Sequence, residues 1–254
     1  MLYVARAETA MDSGFYSAYT GLQARMQALE LLANNLANVN TTGYKAQKEF
    51  YRAFTASMGI GPLTPINQAI NNYGILGGAR VDLTPGSLEP TGNDTDVAIE
   101  GAGFFVLQTK AGVRYTRNGN FTFNAQRQLV DSQGNLVLGD QGPIQIPSGK
   151  LAVSTDGTVS VDGAVVAKLK LVDFAPGTPL APEGNTRFIA PDGSEKPAAG
   201  ATVRQGMLEA SNSDPITGAV ALIELQRTAG MMQRALSIFH TDFNLTAAQE
   251  LPRI

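Results

Sequence analysis

The sequence predicts an α+β fold in which N- and C-terminal helices pack together as a coiled coil and bracket a central all-β domain. Two observations carry that expectation. Apolar stripes of helical period stand at opposite ends of the chain, and the stretch between them is rich in turn dipeptides and β-forming residues. At 254 residues and 43% apolar, the chain is long enough and greasy enough to bury a core. The expected segments are an N-terminal extension and coiled-coil helix (1–57), an extended connection (58–80), a β-rich domain (81–205) and a C-terminal coiled-coil helix (206–254).

In the first helix, Phe15, Tyr19, Leu22, Met26, Leu29, Ala33 and Leu36 follow alternating steps of four and three, which puts them on one stripe at the coiled-coil period. Gln23, Arg25, Gln27 and Glu30 fall on the opposite, water-facing side. Asp12 or Ser13 is the expected cap, and the helix runs down between Asn38 and Gly43. Met58 to Gly78, rich in Gly, Pro and Asn, reads as the extended connection.

In the middle region, Tyr115, Thr116 and Arg117 precede Asn118-Gly119, a two-residue hairpin signal. Asp156-Gly157, Asp162-Gly163 and Asp192-Gly193 supply further turns. Val159, Val161, Val165, Val166, Leu169, Leu171 and Val172 supply β-forming runs. Prolines 176, 179, 182, 191 and 197 argue against a central strand between 176 and 200. The last helix starts at Asp214-Pro215 and repeats the stripe in Leu222, Leu225, Ala229, Met232, Leu236, Phe239 and Phe243, and Pro252 ends it.

Charge and chemistry narrow the function. A formal net charge of −3 gives no sequence-wide case for nucleic acid. No run reaches the roughly 20 apolar residues of a membrane span, and the first ten residues lack the layout of a cleavable secretory signal. With no cysteine, disulfides and thiolate chemistry are excluded. The single histidine, His240, has no second histidine with which to form a relay or metal site. Gly101-Ala-Gly103 lacks the third glycine of a dinucleotide loop and reads as a turn feeding a strand. Asn93, Asp94 and Asp96 lack the acidic spacing of a calcium loop and read as a solvated turn. The expectation is a non-enzyme with no catalytic, cofactor-binding or metal site.

The most distinctive run is Leu32-Ala-Asn-Asn-Leu-Ala-Asn-Val-Asn-Thr-Thr-Gly-Tyr-Lys45. It ends a helix in asparagines whose amides can bridge neighbouring backbones, then places Gly43 where a left-handed cap is wanted. Asn34, Asn35, Leu36, Ala37, Asn38, Thr42, Gly43 and Tyr44 resemble the N-terminal signature of the flagellar rod and hook family. The resemblance continues in Asp96–Phe105, Tyr115–Phe121 and Gln205–Asn212, so it covers nearly the whole chain in order.

Within that family, the short middle region and the runs Gly142–Pro147 and Lys168–Val172 are similar to a proximal-rod member, with the distal-rod or hook type as alternative. Residues 1–10 precede Met11-Asp-Ser-Gly-Phe15, which resembles the usual family start, and the tail Glu250–Ile254 is atypical. The resemblance implies a structural subunit of the basal-body rod in the periplasm that polymerises through its terminal helices and transmits torque from motor to hook. Its implied partners are copies of itself, other rod subunits, the flagellar type III export apparatus, and the hook or peptidoglycan. Phe50 and Phe54 match the spacing of the family's export motif, and the same spacing also serves helical packing. A cell-wall-binding module using Tyr73 or Tyr115 as exposed aromatics is the alternative from another class.

Overall fold

The computed structural model describes the backbone of residues 2–52, 75–184 and 186–250, and the side chains of residues 19–48, 79–184, 186–238 and 241. Two long helices, α1 (Leu2–Ala37) and α2 (Pro215–Glu250), flank a stretch of strands. α1 starts ten residues before the expected caps and carries Asp12 and Ser13 inside it. The reason is local: residues 2–11 contain neither proline nor glycine, so nothing breaks the helix upstream. Its end at Ala37 and the start of α2 at Pro215 fall where the capping residues place them. Most of the anticipated extended connection lies outside the described residues, and its last part opens β2 (Ile75–Val81), which pairs with β1 (Gln47–Arg52).

The chain divides into two compact units. One comprises Met1–Asn34, Lys48–Ala79 and Ile216–Ile254, and the other Asn35–Gln47 and Arg80–Pro215. In the first, α1 and α2 meet through small residues. Ala24, Ala28 and Ala229 are buried, and a Cβ added to Gly21 would lie 3.4 Å from Met232 Cε.

The second unit, the β body, is built around β5 (Phe104–Thr109). β5 pairs with β6 (Gly112–Thr116) on one side, and on the other with β14 (Leu171–Phe174) and then β9 (Leu136–Gly139). The sheet continues from β9 to β8 (Leu129–Val130) and β7 (Thr122–Phe123), with β10 (Gly142–Pro143) also on β9, and from β6 to β16 (Arg187–Ile189) and β15 (Ala181–Glu183). Phe104, Phe105, Val106 and Leu107 are all buried because the sheet is covered on both faces. Alternation sends Phe105 and Leu107 into one core with Ile99, Phe121 and Val137, and Phe104 and Val106 into another with Tyr115, Phe174 and Phe188.

The opening and closing strands of this unit pair with each other. β3 (Leu88–Pro90) pairs with β19 (Met207–Glu209), and β4 (Val97–Glu100) with β18 (Thr202–Gln205). A separate three-stranded sheet runs β11 (Leu151–Val153), β12 (Thr158–Val161), β13 (Ala164–Lys168). Its second hairpin turns at Asp162-Gly163, both with positive φ, as the dipeptide predicts.

Two expectations are corrected here. Asn118-Gly119 does not turn a hairpin, since β6 and β7 are not neighbours; Gly119 is instead pressed against Val97, whose N–H bonds to the Gly119 carbonyl at 3.1 Å. The proline-rich stretch also contains an internal strand, because β16 lies between β15 and β6 and buries Phe188. It is three residues long and holds no proline. Pro182 and Pro197 sit on the outer strands β15 and β17 (Glu195–Pro197), where a missing N–H costs little.

Candidate functional site

The asparagine-rich end of α1 passes into the β body through a chain of directed hydrogen bonds. Gly43 takes φ +68°, and its N–H donates to the Glu209 carbonyl at 2.7 Å. A Cβ there would lie 2.3 Å from the backbone nitrogen of Asn118, so both conformation and space demand glycine. Asn35 treats residue 47 as a neighbouring strand would: its Nδ2 donates to the Gln47 carbonyl at 2.8 Å, and its Oδ1 accepts the Gln47 N–H at 2.9 Å. The buried Tyr44 hydroxyl donates to the same Oδ1 at 2.9 Å. Asn212 does likewise from the other side, accepting the Ala46 N–H and donating to the Asp82 and Thr84 carbonyls.

Beneath this clamp lies a buried ion cluster of Lys45, Arg117 and Glu209. Lys45 Nζ donates to Glu209 Oε1 at 2.5 Å and to the Thr84 carbonyl at 2.8 Å. Glu209 Oε1 also accepts the Gly86 N–H at 2.9 Å, while Oε2 accepts Arg117 Nη1 at 3.2 Å. Arg117 spends its remaining reach on the carbonyls of Ile99 and Gly101, at 3.1 and 2.6 Å, and lies over the Phe104 ring.

Two cations thus share one carboxylate, and the excess positive charge is absorbed by backbone carbonyl dipoles. Burial pulls the Lys45 ammonium below its ordinary range against the attraction of Glu209, and nearby Arg117 adds to that pull. Burial likewise lowers Arg117 from its usual value, opposed by Glu209. With both carboxylate oxygens occupied and the group sealed from water, the arrangement can hold chain segments together but offers no reactive atom to a substrate.

Next to it, Asp96 is buried, where a solvated turn was expected. Its two carboxylate oxygens accept from Asn120 Nδ2 at 2.9 Å and Asn93 Nδ2 at 3.1 Å. Its carbonyl accepts the Gly206 N–H. The four runs that resemble one family therefore converge on one place: Thr42–Lys45, Asp96–Gly101, Arg117–Asn120 and Gly206–Asn212. Lys45, Arg117 and Glu209 were not singled out from sequence. The available signal was a charged residue inside each of three runs otherwise dominated by Gly, Asn and apolar residues.

Other candidates fall elsewhere. On α1, Tyr19 and Met26 are exposed, Leu22, Leu29 and Leu36 are half-buried, and the most buried line runs through Ala24 and Ala28. On α2, Leu222, Leu225, Met232 and Leu236 are half-buried. Asn38 is buried and accepts from Thr41, Thr42 is half-buried, and Asn34 and Ala37 are exposed. The side chains of Phe15, Phe50, Phe239, His240 and Phe243, and all of Phe54 and Tyr73, lie outside the described residues. Tyr115 is not an exposed gripping aromatic; it packs edge-on against Phe174 at 4.9 Å. Among the described residues no group of acidic or histidine side chains is placed to hold a metal, and no helix is long and apolar enough to cross a membrane.

Residues 15–45 match the family described as Flagella basal body rod protein, and residues 98–165 the Flagellar hook protein FlgE/F/G D1 domain. The chain is 35% identical to the flagellar basal-body rod protein FlgF of Caulobacter vibrioides, over 85% of this chain and 89% of the relative. It is 30% identical to FlgF of Salmonella typhimurium, over 89% and 94%, and 33% identical to the rod protein FlgG of Agrobacterium fabrum, over 87% and 92%.

Proposed function

The chain belongs to the flagellar basal-body rod protein family, and from that premise we propose that it polymerises through its terminal helices to carry torque from motor to hook. It is a structural rod subunit, and the relatives it matches are rod proteins, not enzymes. The observation that supports helix-mediated assembly is that α2 is apolar on two faces. Besides the half-buried Leu222, Leu225, Met232 and Leu236, it presents Ile216, Val220 and Ile223 at 76%, 61% and 57% exposure, together with exposed Met231 and Ile238. A second apolar face left open to water marks a surface that a partner covers. Other subunits of the rod are the cover that membership of the family supplies, and a contact between different faces of successive subunits generates an open helical polymer.

Purified protein should therefore pass from monomer to filaments or large oligomers as concentration rises, read by sedimentation velocity and electron microscopy. A strict monomer at high concentration would remove the polymerisation reading while leaving membership of the family intact. A proximal-rod position fits the FlgF relatives and the short β body. Its place in the periplasm and its delivery by the flagellar export apparatus belong to the same proposal and rest on the resemblance. Changing Phe50 and Phe54 together to alanine should retain the protein in the cytoplasm of a strain lacking the hook. Secretion at the parental level would strip these two residues of a docking role.

A further inference from the structure

We propose that Glu209 is the closing member of a latch: residues 42–47, through which α1 joins the β body, dock only when Glu209 arrives to neutralise Lys45 and Arg117 together. The inference rests on the order of the chain and does not depend on the assembly reading. Lys45 and Arg117 precede Glu209 by 164 and 92 residues. In any chain that is made or delivered from its N-terminus, both cations are present long before their carboxylate. Docking residues 42–47 at that stage would bury two like charges together with no anion between them, which a low-dielectric interior disfavours strongly.

Glu209 does not arrive alone. It ends β19, whose pairing with β3 brings the Glu209 carbonyl to the Gly43 N–H, and three residues later Asn212 reaches the Ala46 N–H and the Asp82 carbonyl. The Gly43 N–H, the Lys45 ammonium and the Ala46 N–H thus each find a partner in residues 209–212, while residues 82–84 supply the Asp82 N–H to the Ala46 carbonyl and the Thr84 carbonyl to Lys45. The two apolar cores are built by other strands, with β5 at their centre, and neither includes Lys45, Arg117 or Glu209. Arg117 adjoins both cores, at the Phe104 ring and the Ile99 carbonyl, but residues 209–212 follow every residue of the two cores in the chain, so the end of α1 is secured after the core strands.

The test uses the full chain with Glu209→Gln, followed by residue-resolved amide hydrogen exchange. The reporters are Gly43, Ala46 and Asp82, whose N–H groups bond to the Glu209 carbonyl, Asn212 Oδ1 and the Ala46 carbonyl. The core reporters are the amides of β5. Expected is about a hundredfold faster exchange at Gly43, Ala46 and Asp82, with β5 unchanged within about threefold. Adding Lys45→Met, which removes one cation, should return the three reporters to within about tenfold of the parent.

Three results would overturn the proposal. These are parental protection in Glu209→Gln, equal loss of protection in latch and β5, and no recovery on adding Lys45→Met. The second would make the cluster an ordinary part of the core, and the third would show that charge pairing does not close the latch.

Discussion

Gly119→Ala will destabilise the β body by about 4 kcal/mol or more, a size reserved for a few mechanisms. The mechanism here is a collision of backbone with backbone. A Cβ on Gly119 would lie 1.6 Å from the Val97 carbonyl oxygen and 2.7 Å from its carbon. The two residues cannot move apart cheaply, because the Val97 N–H bonds to the Gly119 carbonyl and the Val97 side chain lies in the core. β4 is also held by β18 through four residue pairs from Thr202↔Glu100 to Gln205↔Val97. The shift has nowhere to go without breaking the sheet. Denaturant unfolding followed by circular dichroism reads the loss. Gly218→Ala on α2 is the control: nothing stands within 4 Å of its added Cβ, so the helix should gain up to about 1 kcal/mol. Equal midpoints for Gly119→Ala and the parent would contradict the close approach.

The second large effect falls on assembly and leaves the monomer alone. Val220 and Ile223 are exposed on α2, so changing both to aspartate removes no buried contact from the subunit, and such surface changes usually stay within about 0.5 kcal/mol each. In an assembled rod the same side chains would be covered. Each then contributes about 1.5–3 kcal/mol by burial, and an aspartate in its place adds the cost of a desolvated charge. A weakening of association by at least about a thousandfold follows, equivalent to about 4 kcal/mol. Sedimentation equilibrium should show a monomer with parental thermal stability. Normal filaments from the double variant would show that this face is not a subunit contact.

Much of the fold was legible in sequence because its signals are local. The two helices announced themselves in apolar steps of three and four, and Asp162-Gly163 specified a hairpin through backbone torsions that few other residues accept. Asn118-Gly119 carried the same dipeptide signature and meant something else. Glycine serves equally for a left-handed turn and for close backbone approach, and only the identity of the neighbour, Val97, separates the two uses. Asp12 and Ser13 looked like caps because a capping residue inside a helix is identical in sequence to one at its start. The strand holding Phe188 was hidden by prolines that turn out to flank it.

The ion cluster was the least legible feature. Lys45, Arg117 and Glu209 are separated by 72 and 92 positions in the chain, and no periodicity links residues so far apart. The family-like runs marked the right places without revealing that they touch. Tyr115 carried two readings, a packing residue or, in the alternative, an exposed gripping aromatic, and the paired strand that supplies Phe188 selects packing.

The hydrogen bond from Gly43 to Glu209 has a geometric consequence. The turn at Gly43, near the start of the chain's first passage through the β body, and the end of β19, near the close of its last, are fastened side by side. Material added or removed at a hairpin tip elsewhere in the β body leaves the spacing of these two bonded segments unchanged. The β12–β13 hairpin tip at Asp162-Gly163, where an added Cβ on Gly163 meets nothing, is the place to lengthen the chain. A lineage could in this way enlarge or trim a hairpin of the β body while Gly43 and Glu209 stay bonded.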